Sequence, residues 1–168
     1  RLAKKKGIKT VGVNAEDASR SDIDYVIKFA KAAKANGADR LRYCDTLGYD
    51  DPFTIYERIK KIAQTVKIPI ELHCHNDLGL VVANSIAGAK AAIDSGVDAY
   101  INTTVNGIGE RAGNADLVSV ILALKYASGF GPKRYKLDDN IDLSKAWKIA
   151  TYASYAFGVP IPINQPGV

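Results

Sequence analysis

Both histidines of this 168-residue chain fall in one short stretch, Glu71-Leu72-His73-Cys74-His75-Asn76-Asp77-Leu78-Gly79. It follows Ile68-Pro69-Ile70, which reads as the start of a buried strand. Strand side chains alternate between two faces, so His73 and His75 point the same way, roughly 7 Å apart along the strand. Two imidazoles on one face can converge on one divalent metal. Cys74 points to the other face and stands outside the pair. A single buried histidine is more often a hydrogen-bonded core residue. Two on one face, at a strand end before a glycine-containing turn, shift the reading toward metal ligation. Imidazole suits zinc, iron, copper or nickel, whereas carboxylate and amide oxygens suit magnesium or manganese, so these residues leave the metal open.

The pair needs a frame that repeats. Strand-like runs begin near Thr10, Arg40, Pro69 and Ala99, a period of about 30 residues, the size of one βα unit. A helical pattern follows each. Ser21-Asp22-Ile23-Asp24 resembles a capping box, and Ile23, Val26, Ile27, Ala30 and Ala33 keep helical spacing up to Gly37. Asp51-Pro52 reads as an N-cap followed by proline at the first helical position, with Ile55, Ile59, Ile62 and Val66 as the apolar stripe. Val81 to Ser95 is alanine-rich and stops at Gly96. Leu117 to Leu124 leads to Gly129, and a fifth helix is expected from Leu143 to Phe157 before a proline-rich tail.

Strict alternation implies an α/β fold with parallel strands and right-handed crossovers. A doubly wound sheet and a (β/α)8 TIM barrel both satisfy that pattern. Polar strand ends favour the barrel: Asn14 to Asp17, Asp45-Thr46, His73 to Asp77 and Asn102 to Asn106 would gather at its C-terminal face. An open sheet would need such ends only beside its switch point. The expectation is therefore four βα units, half of a barrel, over residues 1–139. One following helix and the tail occupy residues 140–168. An open half-barrel of this kind is expected to expose half of an apolar interior.

Composition narrows the class. With 47% hydrophobic residues the chain can build a real core. No run approaches a transmembrane length, so no membrane partner is expected. The chain opens on Arg1 and contains no methionine, which leads to the expectation of a piece of a longer protein. Cys44 and Cys74 each sit late in a strand, arguing against a disulfide framework and for a reducing cytoplasm. The net charge of +5 comes from lysines spread over helix faces among acids, a solvated surface without the aromatic interleaving of a nucleic-acid site.

After the fourth strand comes Asn106-Gly107-Ile108-Gly109-Glu110-Arg111-Ala112-Gly113-Asn114. Its G-x-G-x-x-x-G spacing is one residue too long for a dinucleotide fingerprint, and Glu110 would oppose a pyrophosphate. Asn114 reads either as the cap of the next helix or as an oxygen ligand near the histidines. Together with the histidine motif, with Glu16-Asp17-Ala18-Ser19-Arg20 and with Asp45-Thr46-Leu47-Gly48, this loop resembles the 2-isopropylmalate synthase and homocitrate synthase family. Four ordered motifs over essentially the whole chain carry the resemblance.

The resemblance implies a barrel that binds a divalent metal (Mg, Mn or Zn) and condenses acetyl-CoA with a 2-oxo acid, releasing CoA. By it, His73, His75 and Asn114 are metal ligands, Thr46 holds the 2-oxo acid carboxylate, and Glu16 belongs to the catalytic face. The family's first-strand Asp-Arg-Glu motif and its downstream histidine motif are not found here, so by the resemblance the four units are strands five to eight, the second half of a (β/α)8 TIM barrel, and a homodimer is implied for the full-length protein. Asn102-Thr103-Thr104-Val105 is most similar to homocitrate synthase of the nitrogen-fixation type. Gly12 stands where lysine-pathway homocitrate synthases carry an arginine, which argues against that type. 2-Isopropylmalate, citrate and citramalate synthases stay open. A lyase of the related 3-hydroxy-3-methylglutaryl-CoA type would carry a cysteine in the glycine-rich loop, and this loop has none. From another class, the chain reads as a half-barrel that serves only folding or assembly.

Overall fold

The computed structural model describes residues 1–130, 135, 137 and 140–167. Four parallel strands, β1 (Gly12–Ala15), β2 (Arg40–Asp45), β3 (Ile70–Cys74) and β4 (Ala99–Ile101), form one sheet in sequence order. Between and after them run α2 (Ile23–Ala35), α3 (Pro52–Val66), α4 (Val81–Asp94) and α5 (Leu117–Tyr126). A short α1 (Leu2–Lys5) precedes β1, and α6 (Ala146–Phe157) follows. Among the described residues the strand order never reverses, so they hold no switch point of the doubly wound kind. Right-handed crossovers running one way put every covering helix on the same side. This is a partial (β/α)-barrel-like arrangement. No helix among the described residues is long and apolar enough to cross a membrane.

Acidic side chains start α2, α3 and α5. Asp22 accepts from the Tyr25 N–H at 2.9 Å, and Asp51 Oδ1 accepts from Phe53 and Thr54 at 2.8 and 3.1 Å. Each satisfies a backbone donor that the first turn leaves open. Asp116, not Asn114, caps α5, accepting from Ser119 N–H at 2.8 Å. Asn114 lies two residues too early, which leaves its amide for other work.

The helix-facing side of the sheet is the core. Leu41, Tyr43, Ile70 and Leu72 are fully buried against Ile55, Ile59 and Ile62 of α3. Truncating one such isoleucine to alanine costs about 2–5 kcal/mol. Gly88 lets α4 seat on β3, because a Cβ there would stand 2.6 Å from Leu72 Cδ1.

The opposite, concave face corrects one expectation. Its residues are not apolar. The register aligns Asn14 with Arg42, Arg42 with Glu71, and Glu71 with Tyr100. Arg42 and Arg40 both pair with the buried Glu71, at 2.6 and 2.7 Å. Parallel strands covered by helices on one side only need not be apolar on the other.

Candidate functional site

Every strand ends in the polar cluster that the sequence places there, and the clusters meet at one end of the sheet. His73 is the fourth residue of β3. His75 lies just past the strand, where its backbone forms an isolated antiparallel bridge with Asn114. Their ring centroids are 5.0 Å apart and the ring planes 86° apart. That is closer than the roughly 7 Å of strand spacing, because the rings lean toward each other.

The two imidazoles differ in surroundings. His73 Nδ1 lies 3.0 Å from Asn102 Oδ1. With the Asn102 amide oxygen facing the ring, Nδ1 is the donor of this bond and Nε2 stays outside it. His75 is buried, and its Nδ1 has no hydrogen-bond partner among the described residues. Burial, followed by the neighbouring His73 and Arg111, holds its pKa below the ordinary imidazole value. A neutral imidazole with an orphaned buried nitrogen is the form that ligates metals.

Asn114 is buried beside His75. Its Nδ2 donates to the Cys74 carbonyl at 3.0 Å, which fixes the amide plane. Its carbonyl end lies against Gly109, where a Cβ would stand 2.9 Å from Asn114 Cγ. Asn106 and Arg111 take left-handed backbone angles, φ 58 and 56. Asn76 N–H donates to the Gly113 carbonyl at 2.9 Å, closing the loop onto the histidine strand. The paired imidazoles and Asn114 thus lie on segments that bridge through their backbones. Among the described residues no group of three or more histidine, cysteine, aspartate or glutamate side chains could hold a metal.

Thr46 and Glu16 form the other half of the site. Thr46 Oγ1 donates to Glu16 Oε1 at 2.7 Å and accepts from the Asp17 N–H at 2.9 Å. Asp17 is left-handed, φ 55, and its carboxylate takes both Nε and Nη2 of Arg20, at 2.9 and 2.6 Å. Arg58 of α3 braces this loop from outside through the carbonyls of Ala18 and Ser21, at 2.6 and 2.8 Å. Asp45 is not part of the site chemistry. Its Oδ1 accepts from Tyr49 N–H at 2.8 Å and shapes the turn after β2.

Two residues gain a part that their sequence positions did not assign. Asn102 orients His73. Arg111 joins three loops: Nε and Nη2 donate to Asp77 at 2.7 and 3.0 Å, and Nη2 donates to the Thr46 carbonyl at 2.5 Å. Asp77 is exposed, and its hydrogen bonds from this arginine hold it below the ordinary carboxylate pKa. Cys44 and Cys74 are buried, and burial pushes the Cys44 thiol up to about 12, which makes it inert as a nucleophile.

A family model described as HMGL-like matches residues 1–152. The chain is 67% identical over 163 residues to a citrate (Re)-synthase of Dehalococcoides mccartyi, a match covering 97% of this chain and 39% of that protein. It is 50% identical over 165 residues to 2-isopropylmalate synthase 2 of Caldanaerobacter subterraneus subsp. tengcongensis, covering 98% and 40% respectively. The chain therefore spans about two fifths of the length of these curated relatives. Among solved structures, HMG-CoA lyase of Bacillus subtilis matches with a TM-score of 0.72 at 20% identity, over 97% of this chain and 54% of that one, a likeness of fold.

Proposed function

The chain belongs to the HMGL-like family, and from that premise we propose that its site serves the metal-assisted condensation of acetyl-CoA with a 2-oxo acid, releasing CoA. The observation that carries the reading is the meeting of His73, His75 and Asn114 with the Thr46–Glu16 pair at one end of the sheet. His73 Nε2, His75 and the Asn114 amide oxygen are the groups that would hold a divalent metal (Mg, Mn or Zn). When bound, it would supply Lewis-acid stabilisation of the alkoxide that develops on the keto oxygen.

The chain's own groups do the rest. Thr46 places a hydroxyl where a carboxylate can lie. Its oxygen is pinned by the Asp17 N–H, and its proton can turn from Glu16 to a substrate carboxylate. Glu16 then keeps an acceptor for water or for a substrate hydroxyl. Proton removal from the acetyl methyl needs a base. Both histidines of the chain belong to the pair, so that base is a group other than a histidine of this sequence.

The 67% identity to a citrate (Re)-synthase favours citrate as product, hence oxaloacetate as the 2-oxo acid. Asn102-Thr103-Thr104-Val105 supports a second reading, homocitrate from 2-oxoglutarate. Cytoplasmic location and a homodimer belong to the same proposal. The test is to supply the complete gene product with acetyl-CoA, a divalent metal and a panel of oxaloacetate, 2-oxoglutarate, 2-oxoisovalerate and pyruvate, following the free thiol. Release with oxaloacetate above the others supports the reading. No release with any of them favours the non-catalytic reading of these four units.

A further inference from the structure

A charge imbalance lies on the concave face directly below the histidine pair. In the β2–β3 register Cys44 stands opposite His73, and Arg42 stands opposite Glu71. Arg42 and Glu71 are thus one side-chain layer below the site on the same face, a step of roughly 7 Å. Glu71 is only 5% exposed. Its Oε1 takes both Nε and Nη2 of Arg42, at 2.8 and 2.6 Å, and its Oε2 lies 2.7 Å from Arg40 Nε. Two guanidiniums share one carboxylate, which leaves one positive charge in excess.

The two arginines are not equivalent. Arg40 is packed: its guanidinium lies over the Tyr100 ring, 5.1 Å from the centroid, and crosses Gly12, where a Cβ would stand 3.2 Å from Nε. Arg42 spends two of its nitrogens on a single oxygen. Among the described residues its Nη1 has no acceptor; exposure does not separate the two side chains, 30% for Arg42 and 31% for Arg40, but Arg42 stands one layer nearer the histidines. A guanidinium presents five N–H donors in a fixed fork, so Arg42 keeps an edge suited to a second carboxylate.

We propose that Arg42 selects the substrate: its free edge receives the second carboxylate of a dicarboxylic 2-oxo acid whose 2-oxo acid end lies at Thr46 and the histidine pair. The inference deepens the proposed condensation and rests on it. The distances suit the class. Two or three carbon–carbon bonds of about 1.5 Å separate the keto carbon from the far carboxylate, and the flexible arginine spans the rest of one layer. The same edge disfavours a branched aliphatic 2-oxo acid, which would strip water from a guanidinium without offering an acceptor.

The test uses the complete gene product and the variants Arg42→Gln, Arg42→Lys and Arg40→Gln. Steady-state kinetics are measured with oxaloacetate, 2-oxoglutarate, pyruvate and 2-oxoisovalerate, and equilibrium binding of the same acids by calorimetry in parallel. Arg42→Gln is expected to raise KM for the preferred dicarboxylic acid at least tenfold, with KM for acetyl-CoA within twofold. The preference for dicarboxylic over monocarboxylic acids should fall by the same factor. Arg42→Lys keeps an ion pair for the buried Glu71, so it guards against a folding failure; it should raise the same KM several-fold. Arg40→Gln should leave the preference within twofold. Turnover whose preference neither Arg42 variant alters overturns this inference and spares the condensation. Dicarboxylate binding that Arg42→Gln weakens, without thiol release from any acid, overturns the condensation and spares the inference. Absence of both binding and turnover overturns both.

Discussion

Gly109→Ala is the most discriminating single change at the site. A methyl group at this position would enter the space of the Asn114 amide, with Cγ at 2.9 Å and the backbone nitrogen at 3.2 Å. The amide is the part that can move, since asparagine turns about two bonds. Turning it breaks the bond from Nδ2 to the buried Cys74 carbonyl. Losing a partner for a buried polar group costs about 1–3 kcal/mol. For a domain of this size about 2 kcal/mol lowers Tm by roughly 4–8 °C, and a gene product of the length of the relatives, with its larger unfolding entropy, shifts by roughly half of that. The same rotation redirects the amide oxygen proposed to face the metal, and disturbing the orientation of a ligand typically costs about 10–100-fold in metal affinity. Both quantities are read on one preparation of the complete gene product, Tm by thermal unfolding without metal and affinity by calorimetry with Mn or Zn. A Tm within 1 °C of the parent, with unchanged affinity, would refute the packing argument. A lowered Tm with unchanged affinity would refute only the place of Asn114 at the metal.

Replacing His73 and His75 together by alanine should abolish tight metal binding, measured as metal content after gel filtration; retained stoichiometry refutes the ligand assignment. Thr46→Val keeps the shape but removes the hydroxyl between Glu16 and the Asp17 N–H, and should cost ~1–3 kcal/mol of transition-state binding in kcat/KM with the 2-oxo acid. Arg111→Gly removes the clip at a backbone angle, φ 56, that glycine tolerates best. Amide exchange should therefore quicken in the loops after β2, β3 and β4 together; faster exchange in the glycine-rich loop alone would count against the clip. Burial raises Asp50 to about 6, against an acceptor bond from Tyr43 that pulls it down. A raised carboxylate adds stability that is full below its unfolded pKa of 3.8 and is lost as pH rises through about 6. Asp50→Asn lacks that loss, so between pH 4 and 6 its stability should gain about 3 kcal/mol relative to the parent in urea titrations; parallel pH profiles would contradict it.

The frame of this site is legible in the chain because its cause is local. Period-two and period-3.6 apolar spacing, Asp51-Pro52, and glycine after the helices specify elements whose backbone demands are met within a few residues. The polar strand ends were legible for the same reason: a core would not choose them. What escaped was decided between elements. The short α1 is held by Lys4, which reaches the Lys9 carbonyl at 2.7 Å and Asp39 at 2.6 Å, and no apolar pattern announces it. The cap of α5 moved from Asn114 to Asp116 because the Cys74 carbonyl claims the Asn114 amide. The concave face held a signal that was readable: in Arg40-Leu41-Arg42-Tyr43 the arginines alternate with buried residues, and Glu71 shares the face of His73. Alternation alone puts all three charges on the side away from the helices.

The layering of that face explains why a site can be both charged and well ordered. The sheet and its helix layer give the strands fixed positions, so a side chain at a strand end needs few contacts to be aimed. His73 is aimed by Asn102, Asn114 by the Cys74 carbonyl, and Thr46 by the Asp17 N–H. Each of these partners belongs to the backbone or to an adjacent strand. Below them the Glu71 carboxylate neutralises one arginine and leaves the other's edge free, so the charge that would bind substrate is held by a buried ion pair and not by a flexible loop. Breaking a buried pair by removing one member strands the other, at a cost of roughly 3–5 kcal/mol. Glu71→Gln should therefore disturb folding more than Arg42→Lys does, even though Arg42 is the group proposed to face the substrate. If thermal unfolding ranked the two variants the other way round, Glu71 would not be the anchor of this layer.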